Sequence, residues 1–238
     1  MRAEAPTVLV FDFDGVVVDS EPLHFAAFEE VAAELGVALT YDRYLQTYIG
    51  FDDREAFETL LTEAGEPADP ARVARLTEEK APRFERLAGE AADAGRLAFP
   101  GTVAFARAAV EAEIPRAIAS GATRADIRLM LRLIGLADAF ELIVSADDVA
   151  RSKPDPETFR LAAEGLGVPC SACLAIEDTA AGLASAAAAG MRTLGLTQSH
   201  DAAYLKEAGA ERVLPDLSGV DPRELLAQHA TRPPGPSA

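Results

Sequence analysis

An unbroken apolar run over residues 8–11 ends in two acids, Asp12 and Asp14, which flank Phe13, and Gly15 closes the stretch. Apolar residues without alternation predict a strand over 8–13 buried on both faces, as in a parallel sheet covered by helices. Two carboxylates at the end of such a strand are the strongest constraint in the chain. Taken out of water without a partner, each loses several kcal/mol of solvation. At the carboxyl end of a parallel strand the natural compensator is a hard divalent cation held by oxygen ligands, typically magnesium, with a phosphate close by.

The stretch that follows is different in kind. Ser20, with Pro22 just behind it, predicts a helix start. From 22 to about 96 the periodicity is helical: Phe28, Val31 and Leu35 share one face, Phe57, Leu60 and Leu61 a second helix, and Val73, Leu76, Phe84 and Leu87 a third. Gly36, Gly50, Gly65 and the prolines at 67 and 70 break the pattern between them, so a small helical domain inserted after the first strand is expected. Beyond 98 helix and strand alternate. Helices are predicted over 100–113, 123–134, 156–165 and 179–189, and strands over 116–120, 140–145, 174–176 and 192–196. Alternating units of this kind imply a parallel sheet with right-handed crossovers, whose strand ends gather along one edge. The expected organisation is an α/β core over 1–19 and 98–232, a helical cap over 20–97, and a disordered tail over 233–238, where proline and glycine are dense.

Charge narrows the partners. Lysine and arginine number 22 against 39 acidic residues, a net charge of −17, which argues against nucleic acid. A small phosphorylated ligand fits only where a cation and a lysine or two make a local positive island. Two cysteines, Cys170 and Cys173, make neither a disulfide framework nor a zinc site, for want of further ligands. No apolar stretch approaches a membrane span and no apolar leader follows Met1-Arg2, so a cytoplasmic protein without a membrane or an obligate protein partner is expected.

Polar residues follow immediately on four apolar strands. They are Asp12 with Asp14; Ser120 followed by Gly121, whose bare backbone lets an anion approach; Lys153 between Ser152 and Pro154; and Glu177 with Asp178 at the start of the next helix. Singly, each has a structural alternative: a turn serine, a solvated lysine, acids that cap a helix. Together, acids for a metal, a serine and lysine for phosphate oxygens and a spare carboxylate are the parts that phosphoryl transfer requires.

These stretches, FDFDGVVVDSEPLH at 11–24, ASG at 119–121, SKPDPETF at 152–159 and IEDTAAG at 176–182, resemble the four motifs of the haloacid dehalogenase superfamily, within it the β-phosphoglucomutase and CbbY-like phosphatases. The resemblance implies a Rossmann-like core, a helical cap inserted after the first motif, and Mg2+. It implies Asp12 as the nucleophile that becomes an aspartyl phosphate and Asp14 as general acid and base. Metal ligation falls to Asp12, the backbone carbonyl of Asp14, and Asp178, with Glu177 beside them; phosphate binding falls to Ser120, Gly121 and Lys153. An aspartate at 14 also separates the chain from the dehalogenases, which lack this second acid, and from the ion-pumping ATPases, which carry threonine.

Substrate choice is expected to lie in the cap. Ser20, His24 and Lys80 match positions of the mutase branch, His24 being equally placed to pack with Phe28 and Val31. The mutase's phosphate-binding arginine, three residues after a glycine, is less well matched: Asp53 stands at that distance from Gly50, and Arg54 one place later. Ala122 and Thr123 also replace the serine and lysine of the mutase loop. The expectation is a Mg2+-dependent phosphatase acting on a small phosphorylated metabolite, a sugar phosphate. A hexose-phosphate mutase is the alternative, and a metabolite-binding protein without turnover the alternative of another class.

Overall fold

The computed structural model describes residues 6–48 and 51–229. Gly50 and the tail over 233–238 lie outside the described residues. The chain divides into two compact units, one of Met1–Asp19 with Arg96–Ala238 and one of Ser20–Gly95.

The first unit is built on a six-stranded sheet of order β3-β2-β1-β4-β5-β6. Its strands are β1 (Val8–Phe11), β2 (Arg116–Ala119), β3 (Leu142–Val144), β4 (Cys173–Glu177), β5 (Arg192–Leu196) and β6 (Arg212–Leu214), and every pairing is parallel. The chain moves outward from β1 to β3 and then returns to the other side of β1. The crevice between the carboxyl ends of β1 and β4 is therefore the topological switch point, where ligands bind in sheets of this class.

Helices α5 (Pro100–Glu111), α6 (Arg124–Leu133), α7 (Glu157–Gly165), α8 (Ala180–Ala189), α9 (Ala202–Glu207) and α10 (Pro222–His229) complete this unit. The unbroken apolar runs are explained by burial on both faces. Val8, Val10, Ala117, Ala119, Cys173 and Ala175 pack with Phe159 and Ala162 of α7 and Ala186 of α8. From the opposite face Phe11 meets Phe105 of α5 and Phe140 edge-on, with ring centroids 6.0 and 5.5 Å apart. A fully buried phenylalanine of this kind contributes about 2–3 kcal/mol. Cys173, buried at the start of β4, and Cys170 are both free thiols.

Between 197 and 229 the sequence pattern showed no element, yet α9, β6 and α10 lie there. β6 is three residues long and half-buried, too short for periodicity to register. Pairing with β5, with Gly195 opposite Val213, makes it a strand.

The chain leaves and re-enters this unit side by side. Val18 and Ala98 form an antiparallel bridge, Asp19 N–H donates to Leu97 O at 2.9 Å and Phe99 N–H to Val17 O at 3.1 Å.

The second unit holds α1 (Glu21–Glu34), α2 (Tyr41–Thr47), α3 (Asp53–Glu63) and α4 (Pro70–Asp93). α2 is one helix more than the periodicity indicated. Seven residues give it barely two turns, and its start is set by the Thr40 hydroxyl accepting from Arg43 N–H. Asp52 and Asp69 cap α3 and α4 in the same way. Phe28, Val31, Tyr44, Tyr48, Phe57, Leu60, Leu61, Val73 and Leu76 form the core of this unit. Among the described residues no helix is long and apolar enough to cross a membrane.

Candidate active site

β1 ends at Phe11, and the Asp12 N–H continues the ladder by donating to Ile176 O at 2.9 Å. The chain then turns sharply. Gly15 takes a φ of 76°, a conformation that favours glycine, and a side chain there would overlap Asp178. Across the switch point β4 delivers Glu177 and Asp178, both buried. One carboxylate oxygen each from Asp12, Glu177 and Asp178 lies within 4.8 Å of the others.

Lys153 sits among these acids. Its Nζ is 2.8 Å from Asp12 Oδ1 and 2.7 Å from Glu177 Oε1, and it lies 4.8 Å from the centre of the Phe159 ring. Burial alone would push the ammonium pKa down, but Asp12 and Glu177 outweigh it and hold the pKa above its ordinary value. Glu177 is the best satisfied of the acids. Its Oε1 accepts from Lys153, and its Oε2 accepts from Asp178 N–H, Thr179 N–H and the Thr179 hydroxyl, each at 2.9 Å. Burial works against its charge, yet these donors take its pKa below the usual carboxylate value. A side chain at Gly182 would collide with the Glu177 carboxylate, so glycine in the first turn of α8 makes room for it.

Asp12 and Asp178 are left with the opposite problem. Burial and then the negative charge of Glu177 push Asp12 well above the ordinary carboxylate range, and push Asp178 up to about 7. Asp178 Oδ1 is moreover a buried oxygen with no hydrogen-bond partner among the described residues. Ionised together, these three carboxylates would exceed the one ammonium by two negative charges in a buried site, and that is the charge a cation would relieve. An all-oxygen donor set with that charge fits a hard divalent cation, Mg2+ by type, and fits neither zinc nor copper, which favour nitrogen and sulfur.

Asp14 is not one of the three clustered acids, though its charge reaches Asp178. Its Oδ2 accepts from the Ser120 hydroxyl at 3.4 Å, and Ser120 Oγ in turn accepts from Ala122 N–H at 2.9 Å. Ser120, buried just beyond β2, thus forms the local turn and also reaches the second aspartate. Around Gly121 the protein leaves open space where a Cβ would stand, so its backbone is accessible from outside. The four strand-end loops are therefore brought together by the sheet: Asp12, Asp14, Ser120, Lys153, Glu177 and Asp178 all belong to it.

A fifth loop escaped the sequence reading. After β5, the Ser199 hydroxyl donates to Asp178 Oδ2, and His200 Nδ1 lies 3.1 Å from the Asp178 carbonyl oxygen. A carbonyl only accepts, so Nδ1 carries the hydrogen. Thr197 to His200 obey the rule that singled out the other loops, polar residues directly after an apolar strand, and that rule applied to β5 would have found them.

Of the residues singled out in the helical unit, Lys80 and His24 come together. Lys80, buried in α4, is ion-paired with Asp53, and its Nζ is 3.3 Å from His24 Nδ1. The ammonium has only hydrogens to offer, so the imidazole accepts and is neutral. Burial, and then the Lys80 charge, lower the His24 pKa to about 3. The ring stacks on Phe84 with centroids 4.3 Å apart. Arg54 is exposed and pairs with Glu58 one turn along α3 at 2.9 Å. Ser20 is the residue before α1, is buried, and makes no side-chain cap bond.

Comparison with known proteins agrees with the motifs. The haloacid dehalogenase-like hydrolase family matches residues 6–190. CbbY of Rhodobacter capsulatus is 35% identical over 219 residues, covering 89% of this chain and 94% of that one. A phosphorylated carbohydrates phosphatase of Thermotoga maritima is 32% identical, covering 92% and 95%. Among solved structures, CbbY of Rhodobacter sphaeroides in complex with xylulose-(1,5)bisphosphate is 28% identical, with a TM-score of 0.75 over 90% of this chain and 96% of that one. With the parallel sheet and the helical insertion in place, the chain belongs to the haloacid dehalogenase-like hydrolases, in their CbbY and β-phosphoglucomutase-like branch.

Proposed function

We propose that the protein is a Mg2+-dependent phosphatase that hydrolyses a small phosphorylated metabolite, a sugar phosphate, through an aspartyl phosphate. The observation that carries this reading is the placement of Lys153 between Asp12 and Glu177 beside an Asp178 oxygen that has no donor among the described residues. It is a buried anionic site with a fixed cation already in it and capacity for a second.

In this reading Asp12, Asp178 and the Asp14 backbone carbonyl hold the metal, which supplies positive charge that keeps Asp12 ionised and screens the phosphate oxygens. Glu177, with both its oxygens engaged, contributes charge and fixes Lys153. Lys153, Ser120 and the Gly121 backbone bind the phosphoryl oxygens. An Asp12 oxygen attacks phosphorus while Asp14, protonated, gives its hydrogen to the departing sugar oxygen. Asp14, now a carboxylate, takes a proton from water as that water attacks phosphorus; the Asp12–phosphate bond breaks, and inorganic phosphate and free Asp12 result. The named activity of the Thermotoga relative supports a phosphorylated carbohydrate as substrate class. We assign the choice among such esters to the helical unit, with Ser20, His24, Arg54 and Lys80 as its candidates.

The test is a panel of phosphorylated sugars incubated with Mg2+ and scored for both phosphate release and isomerisation. Release that disappears in Asp12→Asn is expected. Undiminished release by that variant would overturn the mechanism, and conversion of β-glucose 1-phosphate to the 6-phosphate faster than release would replace the hydrolase with a mutase.

A further inference from the structure

We infer that Ser199, assisted by His200, is a positioning residue that fixes which oxygen of Asp178 faces the metal. The inference rests on the cation site proposed above but not on any particular substrate. Asp178 Oδ2 is enclosed from two sides. The Ser199 hydroxyl donates to it, and Gly15 approaches so closely that a Cβ there would overlap this oxygen and lie 3.0 Å from Ser199 Oγ. Its partner Oδ1 is buried and has no hydrogen-bond partner among the described residues. The carboxylate is thus held with one oxygen satisfied and the other bare.

His200 secures the same residue from its backbone. Nδ1–H donates to the Asp178 carbonyl, and the imidazole stacks on Tyr204 of α9, with centroids 4.5 Å apart and planes 15° apart. The loop itself is anchored where Asp201 accepts from Tyr204 N–H at 2.9 Å. Main chain and carboxylate of Asp178 are therefore gripped by consecutive residues of one loop. Fixing a ligand's orientation before the ion arrives removes a reorganisation that would otherwise oppose binding, and losing such a support typically weakens metal affinity 10–100-fold. A hydroxyl that merely competed with the ion for this oxygen would have the opposite signature, since removing it would leave affinity unchanged or raise it.

The experiment measures Mg2+ binding to the full-length protein by calorimetry, with no phosphate ester present. Ser199→Ala is expected to weaken binding about tenfold, Ser199→Thr to restore it, and His200→Phe, which keeps the stack on Tyr204 but not the N–H, to weaken it less. Circular dichroism melting of each variant checks that it is folded. In turnover, the Ser199→Ala defect is expected as a higher Mg2+ requirement that added Mg2+ overcomes. Unchanged or tighter Mg2+ binding by Ser199→Ala overturns the inference, as does loss of binding that Ser199→Thr fails to restore. Wild-type protein that binds no Mg2+ also overturns it. Protein that binds Mg2+ with the expected ranking but hydrolyses no ester leaves this inference standing and removes the phosphatase.

Discussion

Among the described residues Lys80 is buried and Lys153 nearly so, with side chains 5% and 12% exposed, and their surroundings differ in one respect that separates the two units. Lys80 meets one acid, Asp53, and one neutral imidazole, His24, so the charges balance within the helical unit. Lys153 meets two acids, and a third lies against the first two, so the charges do not balance. A buried ion pair that balances is complete as it stands. One that retains excess charge is held at the expense of solvation, and a bound ion or substrate is what resolves it. Burial of a lysine is thus a poor guide to function, and the surplus of partners is a better one.

The largest expected effect breaks the unbalanced site. Lys153→Met leaves Asp12, Glu177 and Asp178 facing one another without an ammonium, and should lower stability by about 3 kcal/mol in metal-free protein and abolish phosphate release. The loss of stability should shrink when Mg2+ is added, as read in melts with and without the ion; a melt indifferent to Mg2+ would dissolve the contrast drawn here.

In the helical unit the corresponding change is expected to be milder. Lys80→Met strands Asp53, which is 40% exposed in its side chain and is solvated where it stands, so about 1 kcal/mol of stability is expected to go. This loss should be independent of Mg2+. A change in KM across the phosphate-ester panel, with a smaller change in kcat, would sharpen the division by assigning Lys80 to substrate choice.

A pH series isolates His24. Its pKa is lowered in the folded protein, by burial first and by Lys80 second, to about 3, while the unfolded chain takes up the proton near 6.5. The unfolded state binds more protons between these values, so this contribution to stability is complete above about pH 6.5 and declines as the pH falls toward 3. His24→Gln should be less stable than wild type at pH 7.5, and the gap in melting temperature should narrow at pH 5. A gap that widens on acidification would show that the ring is charged.

The smallest effect is expected from Arg54→Ala. Its side chain is 60% exposed and, among the described residues, its ion pairs are with Glu55 and Glu58 of its own helix, so no resolvable change in melting temperature should follow. A rise in KM for one ester in the panel would nonetheless identify it as a contact.

Much of this was legible in the chain. Asp12, Asp14, Ser120, Glu177 and Asp178 stood out because they follow apolar runs, and Lys153 because it lies in the loop after β3; a parallel sheet collects such positions at one edge. α2 and β6 were not legible, because seven and three residues respectively carry too little periodicity. Ser199 and His200 carried the same signal, polar residues directly after the apolar β5, but what they hold, Asp178, became visible only in the fold.

The sequence alone determined the residue types, the alternation of strands and helices, and the surplus of acids at the strand ends, since these follow from composition and local pattern. Only the tertiary structure decided how the acids share their work. Glu177 has both oxygens occupied by Lys153, Thr179 and a backbone N–H, whereas Asp178 has one oxygen held by Ser199 and one without a partner among the described residues. Neighbours in the chain, with the same charge and nearly the same side chain, they end in opposite states. The reason is that the side chains deciding the matter come from loops 24 and 21 residues away, brought there by a strand order that no local pattern encodes.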